Sequence, residues 1–305
     1  MYSVKKQVSH EVTPGFLFVR MDDLPYKEHF IPAAGASSIY ARDYGGYGPA
    51  LFLLHGFPDN MHLYDYLVPE LCRYFRVIVF DFLGWGRSDK PAGYPYSAQK
   101  QQEELASVIH YFKFSNCWLL AHDASGPPAI NYYLAHQKKI QRLVLLNTYY
   151  SAMPTLRTPE AIWMFSRPLV RELAGFFALH IKPLNRVIYY WQVGKFIKRA
   201  DRRRTLVPKL FEAFSRKGNF SAFLRLNADL LRTIRANSRR QEECKKAGQK
   251  VIIAFGGRDP YLNPGVADSF SELFEDARKF ILPGAGHYVQ VDAPEKLAEI
   301  LIGEL

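Results

Sequence analysis

Apolar positions along the chain follow two regimes. In the first half, short and nearly continuous apolar runs at residues 38–43, 50–55, 77–82, 117–121 and 142–147, with a weaker run at 16–20, alternate with helix-length stretches at 97–112 and 127–136. Runs that are apolar throughout predict strands buried on both faces, and helix-length spacing between them predicts a largely parallel sheet with helices packed on each side. From Tyr149 to about Gly248 the period is helical and no β run is evident. Alternation then resumes, with a strand at 251–255, a helix at 266–274, a strand at 279–282 and a terminal helix from Pro294. The expected fold class is therefore α/β, with a core built from residues 1–148 and 249–305 and a helical insertion, residues 149–248, between two core strands.

Composition narrows the class. A chain of 305 residues with 48% hydrophobic and 23% charged positions can bury a large core, which excludes a disordered chain, a coiled coil and a minimal disulfide scaffold. Cys72, Cys117 and Cys244 are odd in number and lack ligand spacing, so the expectation is a reducing compartment, with no disulfide framework and no zinc site. The absence of a long apolar run and of an apolar leader predicts a soluble, cytoplasmic protein. The net charge of +11 is concentrated: residues 182–250 hold 19 Lys/Arg against 5 Asp/Glu, leaving 21 against 24 elsewhere. Basic residues interleaved with Phe and Leu at helical spacing read as amphipathic helices with a basic outer face. A solvated surface is the simplest account of that face, attraction to anionic lipid or an acidic partner is the alternative, and nucleic-acid binding is disfavoured because no recognition module accompanies the charge.

Chemistry is signalled at four strand ends. The stretch Cys117-Trp118-Leu119-Leu120-Ala121-His122-Asp123-Ala124-Ser125-Gly126-Pro127-Pro128 runs from an apolar strand through small residues into a proline-tolerant helix start. That is the pattern of a nucleophile elbow, in which the central side chain is thrust off the sheet edge and the following N–H becomes an oxyanion donor. The central residue is Asp123, and Ala124 supplies the donor. Ser125 in a shifted frame is the weaker alternative, because it puts Asp123 where a small residue is needed. His55-Gly56-Phe57-Pro58 follows an earlier strand and offers Phe57 as the second donor. Phe255-Gly256-Gly257-Arg258-Asp259-Pro260 ends a later strand with an acid, and Gly284-Ala285-Gly286-His287-Tyr288 ends the next with a histidine. Singly, Asp123 reads as a helix cap, Asp259 as a turn residue and His287 as a loop histidine. Together they follow the order nucleophile, acid, base.

These motifs resemble the aspartate-nucleophile branch of the α/β-hydrolase fold superfamily, which includes haloalkane dehalogenases and epoxide hydrolases. Asp81-Phe82-Leu83-Gly84-Trp85-Gly86-Arg87-Ser88-Asp89-Lys90-Pro91 is similar to the D-x-x-G-x-G-x-S-D-K-P segment of dehalogenases and of mesoderm-specific-transcript-type hydrolases, and has Leu83 where epoxide hydrolases usually carry Arg. The resemblance implies a helical cap over the α/β core, Asp123 as nucleophile, Asp259 and His287 as the acid–base pair, and Phe57 and Ala124 as the oxyanion hole. It implies a small apolar organic substrate and water as reactants, with no metal and no organic cofactor. Three leaving-group devices of the relatives are missing: the Trp after the nucleophile is Ala124, the Asn of the HGxP loop is Phe57, and the Arg after the nucleophile in fluoroacetate dehalogenases is absent. Trp163, Trp191, Tyr149, Tyr150, Tyr189 and Tyr190 are the insertion-segment residues that could supply such a donor. Carbon–halogen hydrolysis is the leading expectation and epoxide hydrolysis the next; a serine-type esterase and a non-catalytic binding protein with a basic cap rank lower.

Overall fold

The computed structural model describes residues 24–173, 182–248 and 250–305. Its sheet has eight strands in the order β1-β2-β4-β3-β5-β6-β7-β8: β1 Lys27–Pro32, β2 Ser38–Asp43, β3 Ala50–Leu54, β4 Arg76–Phe80, β5 Cys117–Asp123, β6 Ile140–Thr148, β7 Val251–Gly256 and β8 Ala277–Leu282. β1 and β2 run antiparallel to their neighbours, and β3 through β8 are parallel. The mostly parallel α/β sheet is the expected one. The run at 16–20 lies outside the described residues. β1 has no counterpart in the apolar pattern: it is an edge strand, with its residues mostly exposed, so it needs no apolar face and ends on a proline that cannot donate onward.

The continuous apolar runs are explained by two cores, one on each face of the sheet. Phe52, Leu54, Leu119 and Leu145 point to one side, while Leu51, Leu53, Leu120 and Val144 point to the other. α1, Ala98–Phe112, and α2, Gly126–Ala135, contribute to the first side. Ser97 caps α1 by accepting from the N–H of Lys100 at 3.2 Å, and α2 starts on Pro127 and Pro128, where the missing donors cost nothing. Between β6 and β7 lie α3 Glu160–Phe165, α4 Lys182–Phe196, α5 Ala200–Phe214 and α6 Asn219–Asn237. Ala222, Leu226 and Leu230 of α6 join the first core, and Tyr189, Val193 and Leu210 of α4 and α5 join the second. α7 Pro264–Leu273 and α8 Pro294–Ile302 complete the core layers. Among the described residues no helix is long and apolar enough to cross a membrane.

Two features of the topology place the site. The chain leaves β3 toward β4 on one side and later enters β5 on the other, so the loops after β3 and β5 diverge and open a crevice at the strands' C-terminal ends. The segment that follows β4 braces that crevice. The buried Asp81 carboxylate accepts from the N–H groups of Met61 and Arg87, both at 2.8 Å. Ser88 donates to the Asp81 carbonyl and accepts from the N–H of Tyr40, while Asp89 accepts from Ser38 and Lys90 donates to the carbonyls of Gly86 and Ser88. A side chain at Gly86, whose φ is +46°, would meet the Asp81 carboxylate at 2.0 Å. The acid, glycine, serine and lysine of that motif therefore serve loop architecture. Strand β4 stops at Phe80 for the same reason: Asp81 is engaged in this turn, and the N–H of Phe82 goes to His55 Nε2 at 3.1 Å.

Candidate active site

Asp123 sits where β5 ends, in the left-handed region with φ of 51°. A non-glycine residue there costs on the order of 1–3 kcal/mol, so the surroundings must enforce it. They do so through Ser125, whose fully buried hydroxyl accepts from the N–H of His122 at 2.9 Å and lies within hydrogen-bond distance of the carbonyls of Leu54 and His122, at 2.9 and 2.8 Å. The Thr148 hydroxyl donates to the Asp123 carbonyl. Two close approaches require glycine: a Cβ on Gly126 would lie 1.9 Å from Thr148 Oγ1, and one on Gly56 would lie 2.6 Å from Asp123 Cβ. Ser125 is thus consumed by scaffolding.

The Asp123 carboxylate accepts from the N–H of Phe57, at 2.9 Å on Oδ2, and from the N–H of Ala124. Both expected oxyanion donors converge on it. Burial pushes its pKa up, partly offset by the charge of His287 and by these two donors. His55, buried and held neutral by that burial, anchors the Phe57 loop: its Nε2 accepts from Phe82, so its Nδ1 donates to the Gly56 carbonyl at 2.8 Å.

His287 Nδ1 lies 2.7 Å from Asp259 Oδ2, which fixes the Nδ1–H tautomer and leaves Nε2 free to act. Asp259 Oδ1 accepts from the N–H groups of Tyr261 and Leu262 at 2.9 and 3.2 Å, and Oδ2 also accepts from Asn147 Nδ2 at 3.1 Å. Burial pushes the Asp259 pKa up, but the charge and hydrogen bond of His287 hold it below the usual carboxylate range. Burial pushes His287 down, and the charges of Asp259, Asp123 and Asp59 together with the Asp259 hydrogen bond outweigh it, raising the imidazole to about 9. His122 Nε2 donates to the His287 carbonyl at 3.0 Å, tying the elbow to the histidine loop.

Two participants are not legible from motif spacing. Asn147 also binds Gly256 through both its side-chain atoms and the Leu262 carbonyl, locking the β6 and β7 ends that carry Asp259. Asp59, directly after the HGFP turn, is buried beside the site, accepts from the Tyr288 hydroxyl at 3.0 Å, and is pushed up to about 7 by burial and by Asp123. The one available signal was an acid next to a motif, which a surface turn carries just as often.

Above Asp123 and His287 lies a cavity of about 320 Å³ whose wall includes Phe57, Tyr149, Phe165, Tyr189, Phe223 and Leu230. Of the six aromatic donors considered, Tyr149 and Tyr189 border it. Tyr149 is buried and close enough to Asp123 for the carboxylate charge, after burial itself, to raise its pKa further. The Tyr189 hydroxyl faces the Pro58 carbonyl at 3.5 Å. Tyr150 instead donates to Asn131, and Tyr190 packs against Phe211 and Arg186, neither on the cavity wall. Trp163 and Trp191 are 53% and 65% exposed on the outer surface.

The chain is 30% identical over 198 residues to a cis-3-alkyl-4-alkyloxetan-2-one decarboxylase from Shewanella oneidensis, covering 60% of this chain and 62% of that protein. It is 22% identical to epoxide hydrolase 3 of Xenopus tropicalis, covering 93% of this chain and 76% of the relative, and 22% identical to haloalkane dehalogenase 2 of Mycobacterium bovis, covering 84% and 88%. The model of the alpha/beta hydrolase fold family matches residues 49–294, the stretch that carries the elbow, the acid and the histidine, and the protein is accordingly a hydrolase of the alpha/beta hydrolase fold family.

Proposed function

We propose that the protein hydrolyses a small apolar electrophile through a covalent ester on Asp123. The observation that carries this reading is the pairing of a carboxylate at the elbow, held by the N–H groups of Phe57 and Ala124, with a neighbouring serine whose hydroxyl is buried and committed. A carboxylate attacks sp³ carbon, so Asp123 Oδ1 forms the C–O bond as the leaving atom takes the electron pair of the breaking bond. Water then attacks the ester carbonyl while His287 Nε2 removes its proton, and charge gathers on Oδ2, the oxygen that already accepts from the N–H of Phe57, with the Ala124 N–H as the second donor at this carboxylate. Each such donor is worth about 3–4 kcal/mol to a tetrahedral intermediate. Collapse breaks the bond between the Asp123 carboxyl carbon and Oδ1, and the departing alkoxide takes the proton held by His287 and leaves as the alcohol. The Asp123 carboxylate is restored with one oxygen from water as that oxygen's remaining proton is released.

The timing follows from charge. Ester formation abolishes the Asp123 anion, one of the three that raise His287. The imidazolium therefore gives up its proton more readily, so more of the imidazole is free to act as a base at the step that needs one.

Tyr149 supports ring opening of an epoxide as the first choice of leaving group. An epoxide oxygen departs as an alkoxide and needs a proton, which a buried phenol beside the nucleophile can supply. Carbon–halogen hydrolysis is the second reading, favoured by the buried Leu83 in place of arginine and by the similarity to haloalkane dehalogenase 2. Diol release from alkyl epoxides, halide release from bromoalkanes and turnover of a dialkyl oxetan-2-one, each measured with wild type and with Asp123→Asn, separate these readings. Activity on none of the three by a folded protein overturns the proposal.

A further inference from the structure

We infer that the outer face around the cavity mouth docks on an anionic phospholipid bilayer. Met164 of α3 and Ile188 of α4 both line the cavity and reach solvent, so they mark its rim. Beside them in the sequence Trp163, Val187 and Trp191 are exposed, as are Leu169 and Leu173 in the chain after α3. Ile188 and Trp191 are three apart on α4 and share its face. Large apolar side chains exposed at and beside the mouth of an apolar cavity mark an interaction site rather than ordinary solvent contact.

Its charge decides the occupant. The Arg167 guanidinium sits 3.9 Å from the Trp163 ring centre and Lys195 Nζ sits 4.8 Å from that of Trp191. Lys195 also lies 5.7 Å from the ring of Tyr261, whose hydroxyl donates to Glu160 at 2.7 Å, so α3, α4 and the cavity wall are linked around the mouth. Arg203 packs along α4 beside Gly194 and adds a further exposed cation. Tryptophan with flanking Arg and Lys is the composition that settles at the headgroup boundary, and residues 182–250, which include Trp191, Lys195 and Arg203, carry 19 Lys/Arg against 5 Asp/Glu. An acidic protein is the competing occupant; tryptophan flanked by Arg and Lys at the opening of an apolar cavity favours a bilayer, which offers anionic headgroups and an apolar interior together. It also concentrates apolar molecules at the opening of an apolar cavity.

The probe is brominated phosphatidylcholine vesicles containing about one third phosphatidylglycerol, with pure phosphatidylcholine as control. Trp85 and Trp118 are buried in the core, so quenching by brominated chains reports on Trp163 and Trp191. The expected result is sedimentation with anionic vesicles accompanied by quenching. The partition coefficient should fall at least about tenfold between about 0.1 M and about 1 M salt, as the Debye length shrinks from about 10 Å to about 3 Å. Trp163→Ala/Trp191→Ala removes association while leaving the melting temperature unchanged, and Arg167→Gln/Lys195→Gln weakens it without touching the tryptophans. No association of folded protein at low salt, or association without quenching, or association that the tryptophan substitutions leave intact, overturns the inference. So does a concentration-dependent dimer, seen by sedimentation velocity, that the same substitutions abolish without any vesicle binding. Association is read without substrate, so its failure and that of the catalytic proposal are distinguishable.

Discussion

Replacing Asp123 with Asn mimics the electrostatic effect of ester formation without needing a substrate. Asn fits the site, since it tolerates positive φ and its amide oxygen can accept from Phe57 and Ala124. In the free protein His287 is raised from 6.5 to about 9, a difference worth about 3 kcal/mol in favour of the imidazolium at ~1.4 kcal/mol per tenfold. Burial opposes that rise, and Asp259, Asp123 and Asp59 overcome it. Removing the Asp123 charge should lower the His287 midpoint by at least about one pH unit, the lower end of what a close opposite charge contributes. Two-dimensional NMR of the imidazole resonances between about pH 5 and pH 10 measures both midpoints, with His287→Gln identifying the signal. The same pair makes a stability statement. Because the folded pKa lies above the unfolded one, the stabilisation is full below about pH 6.5 and is lost as pH rises through about 9, and the loss is smaller in Asp123→Asn. An unchanged midpoint in the variant, or a wild-type midpoint at or below 6.5, refutes the reasoning.

Other outcomes follow from the same geometry. Ser125→Ala strips a buried hydroxyl from the N–H of His122 and the carbonyls near it, so chemical denaturation should show a loss of roughly 1–3 kcal/mol while turnover per folded molecule survives; activity kept by Asp123→Ala but abolished by Ser125→Ala would transfer the nucleophile to serine. Tyr149→Phe should lower epoxide turnover by roughly 10²-fold and bromoalkane turnover far less, as measured by diol and halide release. Asp81→Ala leaves the N–H groups of Met61 and Arg87 without their acceptor, and equilibrium unfolding should register a cost of about 2 kcal/mol or more.

The parallel core was readable because β3, β5 and β7 are buried on both faces and thus apolar along their length, with His122 and Asp123 only at the end of β5. β1 was not, because an edge strand with mostly exposed residues needs no apolar run. Asp123, Asp259 and His287 could be assigned to strand ends from their flanking glycines and apolar runs, and the fold brings those ends together. Asn147 could not be distinguished from any strand-end asparagine: its role comes from reaching Gly256, Asp259 and Leu262, more than a hundred residues away. Asp59 is similar, since only the buried Tyr288 hydroxyl and the nearby Asp123 charge set it apart from a turn carboxylate. The six insertion-segment aromatics show the limit of periodicity. It says that Tyr189, Tyr190 and Trp191 lie on a helix, but consecutive residues point about 100° apart, and only packing decides that Tyr189 meets the cavity while Trp191 meets solvent. The concentrated positive charge was visible from the start, and the structure pairs part of it with exposed tryptophan.

Mass spectrometry of the Asp123-containing peptide from His287→Ala protein, after incubation with epoxide and bromoalkane panels, tests the central claim most directly. Without its base the enzyme should stall after the first step, so the peptide should gain the mass of the substrate-derived group at Asp123. A folded His287→Ala protein with no adduct at Asp123 on any substrate that the wild type turns over, or with the adduct on Ser125, would contradict the account.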